Sequence, residues 1–135
     1  MKELFPHSAT TNDIVVRVSV SYLPEQSEPG KGRWFWAYHI RIENEGEARV
    51  KLVSREWSIR DGRGALHEVR GEGVVGEKPV IEPGQSFDYV SGCPLSTPSG
   101  IMRGHYRMQV PDGRSFEVEI PAFSLDAPAT RRVLN

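Results

Sequence analysis

A single cysteine, Cys93, stands in 135 residues. No internal disulfide can form, so a reducing compartment is expected. No apolar run approaches the ~20 residues that a membrane-spanning helix needs. The opening Met1-Lys2-Glu3-Leu4-Phe5-Pro6-His7 lacks the apolar core of a signal peptide. A cytoplasmic protein without a membrane partner is the expectation. Charge of neither sign is in surplus: 17 basic against 18 acidic residues leave a net charge of −1. Non-specific nucleic-acid binders need a basic excess, so nucleic acid is not an expected partner, although net charge says nothing about local patches. Chemical signatures are also missing. There is no G-x-S-x-G and no outstanding carboxylate pair. His7, His39, His67 and His105 never pair at i,i+2 or i,i+4, and Cys93 has no C-x-x-C partner, so zinc-type spacing is absent. No catalytic residue, metal site or cofactor is assigned, and the chain is expected not to be an enzyme.

What is present is period-two alternation. Val16, Val18, Val20 and Tyr22 alternate with polar residues, the pattern of a half-buried strand. A breaker-rich loop comes next, over 23–32. Trp34, Trp36, Tyr38, Ile40 and Ile42 share one strand face, with Phe35, Ala37, His39, Arg41 and Glu43 opposite. Asn44-Glu45-Gly46-Glu47 reads as a hairpin turn. A strand over 48–60 has apolar points at Val50, Leu52, Trp57 and Ile59. Its parity changes midway, which predicts a β-bulge near Ser54-Arg55. Asp61-Gly62 is a turn, and 65–70 returns as a short strand. Ile81-Glu82-Pro83-Gly84 is a further turn. Phe87, Tyr89 and Ser91 oppose Asp88 and Val90 on the next strand, and 94–100 reads as a loop. Met102, Gly104, Tyr106, Met108 and Val110 alternate, Pro111-Asp112-Gly113 turns, and Phe116, Val118 and Ile120 return. No window carries a 3.6-residue stripe. Some seven short strands with turns every ~8–12 residues predict an all-β, antiparallel immunoglobulin/fibronectin type III-like β-sandwich. One domain over 1–126 with a flexible tail over 127–135 is expected. Gly104-His105-Tyr106 could set a tyrosine hydroxyl at a sandwich corner.

The segment Gly71-Glu72-Gly73-Val74-Val75-Gly76 matches G-x-G-x-x-G, the dinucleotide fingerprint. That fingerprint works only between a strand and a helix N-terminus. Pro79 and Pro83 exclude an ordinary helix after it, and Glu72 puts a carboxylate where phosphates would sit. Three readings stand side by side. The first is a tight connection that needs glycine for positive φ or close approach. The second is a partner-binding surface of Gly71, Glu72, Gly73, Val74, Val75, Gly76 and Glu77. The third is a phosphate nest of backbone N–H groups flanked by Arg70 and Lys78.

Other candidates have plainer readings. His67 with Glu68 and Glu72 could hold a divalent ion weakly, against ordinary surface residues. Cys93 could be a nucleophile if His67 or His105 approached it, against a structural thiol. Phe35 faces away from Trp34 and Trp36 and suits either a recognition patch or a second core. The charged stretch 25–31 reads as a solvated loop tip.

Several runs resemble the ApaG family. They are Phe35–Asn44, Ser54–Ile59, Val69–Pro79, Pro83–Phe87, Ser91–Leu95, Thr97–Gly100 and Ile120–Leu125. The likeness covers residues 12–126 in order, departing where Trp34 and Trp36 replace smaller aromatics. The resemblance implies a fibronectin type III-like sandwich and a small bacterial stand-alone protein. Its domain recurs in eukaryotic F-box proteins and a polymerase-delta-interacting protein, which points to protein recognition. The family is linked by name to cobalt resistance and magnesium efflux and has no agreed catalytic residues. A non-catalytic protein-interaction module is therefore expected, its link to metal tolerance indirect. The alternative is a nucleotide or pyrophosphate binder, a hydrolase included, using the Gly71–Gly76 loop.

Overall fold

A computed structural model describes residues 4–128. Nine strands run through them: β1 His7–Thr11, β2 Ile14–Tyr22, β3 Trp34–Asn44, β4 Val50–Asp61, β5 Leu66–Glu72, β6 Val80–Ile81, β7 Ser86–Leu95, β8 Ser99–Gln109 and β9 Ser115–Asp126. All pairings are antiparallel. One sheet has the order β1-β2-β3-β7. The other has β5-β4-β8-β9, with β6 also on β4. The two sheets pack face to face as the expected sandwich. The described residues contain no α-helix, only short 3-10 turns.

Alternation determines which face is buried. Trp36, Tyr38, Ile40 and Ile42 of β3 point inward, as do Met102, Tyr106 and Met108 of β8 and Val118 and Ile120 of β9. Each such side chain contributes roughly 1.5–3 kcal/mol when fully buried. Outward residues are charged and mutually paired. On the first sheet Glu43 receives Arg17 at 3.1 Å and Arg41 at 2.8 Å, and Arg41 also meets Asp88 at 3.4 Å. On the second, His105 lies 3.6 Å from Glu56 and 3.4 Å from Glu117.

Several connections differ from the sequence reading. The strand β1 was not visible in the alternation, because it packs beside β2 as a polar edge. Asn12 and Asp13, at φ 47° and 65°, make its two-residue turn. Asn44–Glu47 is not a hairpin: β3 and β4 belong to different sheets. Asn44 is buried because its amide ties the crossover, donating to the carbonyls of Ala48 and Ile81, both at 2.9 Å. Strand β7 continues through Pro94 to Leu95, where a loop was expected. Pro94 is tolerated because β7 is an edge. Tyr106 makes no corner. Its hydroxyl lies inside the core, 2.5 Å from that of Tyr89 on the opposite sheet. The 25–31 tip is charged and exposed, but Ser27 is buried and braces it, donating to the Leu23 carbonyl at 2.8 Å. Of the tail expected over 127–135, Ala127 is held by its N–H on the Pro98 carbonyl at 2.9 Å. Residues 129–135 lie outside the described residues.

The β4 bulge falls at Val53, one residue from its expected place. Beyond it the inward face becomes Arg55, Trp57, Ile59 and Asp61. A cation therefore sits on the core side of a central strand.

The Tyr89–Tyr106 bridge yields a test. Tyr106→Phe strands the buried Tyr89 hydroxyl and should cost roughly 1–3 kcal/mol in urea denaturation. The double change to Phe should cost less than the sum of the single ones.

Candidate functional site

The bulge that turns Arg55 inward also explains the glycine motif. Val53 is the extra residue, and its carbonyl accepts the N–H of Gly73 at 2.8 Å. Gly71 lies directly opposite Arg55 in the β4–β5 register. A β-carbon there would sit 2.8 Å from the guanidinium. Glycine is thus what lets Arg55 lie across β5. Arg55 Nη1 then donates to the carbonyls of Glu72 at 3.1 Å and Gly73 at 2.9 Å.

The rest of the motif closes a turn. Val74 is fully buried, and it exchanges two backbone hydrogen bonds with Glu77, each 2.8 Å. Between them Val75 and Gly76 have φ of 41° and 81°, the type I′ pattern that Asn-Gly usually fills. Gly73, at φ 62°, has no room for a β-carbon beside the Glu77 carbonyl. Gly71 does not have positive φ; its requirement is space. The seven residues therefore do not all lie on one surface. Gly71, Gly73 and Val74 face the interior, while Val75, Gly76 and Glu77 form an exposed tip. The Glu72 carboxylate turns to Lys78 at 2.9 Å, and that hydrogen bond holds its pKa below the ordinary value. The N–H groups of Gly73, Val74 and Glu77 are already spent on carbonyls. The next element is β6, a strand paired with β4, and not a helix N-terminus. This geometry lends the phosphate reading no support.

The other sequence candidates separate. His67 lies on the opposite face of β5 from Glu68 and Glu72, by strand alternation, and its Nε2 meets the Asp61 carboxylate at 3.0 Å. No trio of metal-ligating side chains occurs among the described residues. Cys93 is buried, and burial pushes its thiol up to about 11, the opposite of an activated nucleophile. Phe35 lies over Gly92 on the outer face.

What the sequence reading missed is a groove of about 650 Å³ between the sheets. It opens where β7 ends one sheet and β5 ends the other. Tyr38, Trp57, Ile59 and Met102 form its floor; Val69 and His67 line the β5 side, and Ser91 to Ser96 the β7 side. The rings of Tyr38 and Trp57 meet edge to face at 5.4 Å. Burial raises the Tyr38 pKa, with Ser91 and Arg55 opposing, so its hydroxyl stays protonated at neutral pH. Gly32, Arg33 and Arg55 complete the lining, which includes no aspartate or glutamate. The signal that could have found this site was the parity change in β4, traced one step further: it places Arg55 on the same face as Trp57.

The ApaG domain matches residues 24–110. Protein ApaG of Methylorubrum extorquens strain PA1 is 55% identical over 129 residues, covering 96% of this chain and 99% of that protein. Protein ApaG of Parvibaculum lavamentivorans is 52% identical over the same coverage. A crystal structure from Bordetella pertussis, described under the name ApaA, superposes with a TM-score of 0.84 at 45% identity. It covers 90% of this chain and 99% of that one.

These geometries generate two tests. Gly73→Ala combines positive φ with a clash and should cost roughly 1–3 kcal/mol, more than Gly76→Ala, whose β-carbon meets open space. Val75→Asn should gain about 1 kcal/mol by relieving a β-branched residue in the left-handed region. Thermal melts of the three variants rank them.

The second test concerns Asp61, 7% exposed at the groove's hairpin. The His67 hydrogen bond, then the N–H groups of Arg63 and Ala65, lower its pKa from 3.8. A lowered folded pKa contributes stability that is complete above the ordinary value and lost as pH falls through the lowered one. Melting temperature should therefore drop on acidification below the ordinary carboxylate range. Asp61→Asn should flatten that drop while lowering the neutral-pH value.

Proposed function

The chain belongs to the ApaG family, and from that premise we propose that it is a non-catalytic module that binds a protein partner in the groove between β5 and β7. One observation carries this reading. An apolar, aromatic-floored groove lies open between two strand edges that have no partner among the described residues. Unpaired edges are a pairing hazard that folded proteins normally blunt. Here β5 is exposed along most of its length, with Val69 43% exposed on the groove side. A segment of another protein can extend an edge through main-chain hydrogen bonds while its side chains enter the groove. The buried Cys93 thiol and the protonated tyrosines offer a surface for recognition, not an activated group. A free thiol and the absence of any long apolar helix among the described residues suit a cytoplasmic module. In this reading a family role in cobalt resistance or magnesium efflux is indirect, exercised through the partner.

The experiment is affinity capture from a lysate of the source cells, then hydrogen exchange of the complex. Protection is expected in β5 and β7. Val69→Asp should abolish capture while changing stability by no more than ~0.5 kcal/mol, as exposed substitutions do. Protection confined to the Val75–Glu77 tip would move the binding surface there.

A further inference from the structure

The outer faces and the groove treat charge differently. Outside, Arg17, His39, Arg41, His105 and Arg107 each meet a carboxylate within 4 Å. Inside the groove the lining is cationic and free of acids, in a chain with one more acid than base. Two of its three cationic or titratable bases are already matched: Arg33 has Glu28 at 3.1 Å, and His67 has Asp61. Arg55 has no carboxylate within 4 Å among the described residues. Its Nη1 is fixed by two backbone carbonyls. Its Nε and Nη2 have no hydrogen-bond partner there, and no unpaired side-chain nitrogen is sealed from solvent. A half-buried guanidinium, immobilised at one nitrogen and open at the other two, is a preorganised fork for a carboxylate. Because it is held by the carbonyls of Glu72 and Gly73, little further entropy is lost on binding.

We infer that the groove takes an extended polypeptide segment that sets an acidic side chain on Arg55. This rests on the groove being the protein-binding site. The flanking edges of β5 and β7 select an extended main chain, the Tyr38–Trp57 floor takes apolar side chains at alternate positions, and Arg55 supplies the charge selection. The glycine motif then serves recognition indirectly, as the mount for that arginine.

The test uses an array of blocked ten-residue peptides of alternating β-branched and polar residues, in three sets with a central Glu, Gln or Lys. The full chain should prefer the Glu set over the Gln set by about tenfold, as charge-assisted hydrogen bonds do, and reject the Lys set. The preference should vanish in 0.5 M salt, roughly where the Debye length falls to a few ångströms, and in Arg55→Gln. Because Arg55→Gln also loosens the Glu72–Gly73 turn, Arg55→Lys and the wild-type salt titration stand beside it: the lysine variant should keep a Glu preference at reduced strength. Equal capture of Glu and Gln sets by the wild type would overturn the inference and leave the groove reading standing. Capture of no peptide would overturn it as well; if Val69→Asp also left lysate capture unchanged, the groove reading would fall with it. Self-association in sedimentation that Arg55→Gln dissolves would assign the groove to a second copy of this chain and overturn the peptide proposal.

Discussion

A guanidinium on the inward face of a central strand cannot be sealed in an apolar core without heavy desolvation cost. Arg55 occupies such a position. The sandwich meets that constraint by staying open beside it: β5 stands off from β7, and water reaches the charge through the groove. The Val53 bulge creates the situation, since the extra residue exchanges the faces of β4 and brings Arg55 inward together with Trp57 and Ile59. The same bulge frees the Val53 carbonyl that Gly73 then satisfies.

The glycine motif belongs to this chain of dependence. Its first glycine clears space for the guanidinium, and its second carries a carbonyl that holds it. Its last, with Val75, closes the turn into β6. A pattern that spells a phosphate cradle is in this fold a bracket for a cation. The difference lies in the neighbouring element. Here it is a strand, and the N–H groups of Gly73, Val74 and Glu77 are consumed by carbonyls, where a dinucleotide site needs a helix that presents them.

Valine at φ 41° is an uncommon choice for a turn tip, because a β-branched side chain crowds its own backbone there. The neighbouring core contacts of Val74 hold the turn in shape despite it. The cost is borne at an exposed point, whereas at Gly73 any side chain would press on the Glu77 carbonyl.

Much of the fold was legible locally. Strand alternation, the Asp61-Gly62 and Pro111-Asp112-Gly113 turns and the β4 bulge are short-range consequences of pleat geometry and backbone sterics, so neighbouring residues report them. The polar strand β1 was not legible, since its pairing with β2 rather than its own pattern makes it a strand. Nor was sheet membership: Asn44–Glu47 has the composition of a hairpin, and only the buried amide bonds of Asn44 to Ala48 and Ile81 reveal a crossover. By itself the sequence determined the all-β class and the inward aromatic face of β3. Tertiary structure alone decided that β5 and β7 end opposite edges over one groove, and that Gly71 makes room for Arg55. Those facts join residues far apart in the chain, and non-local pairing is set by the packing of whole sheets, which no local pattern encodes.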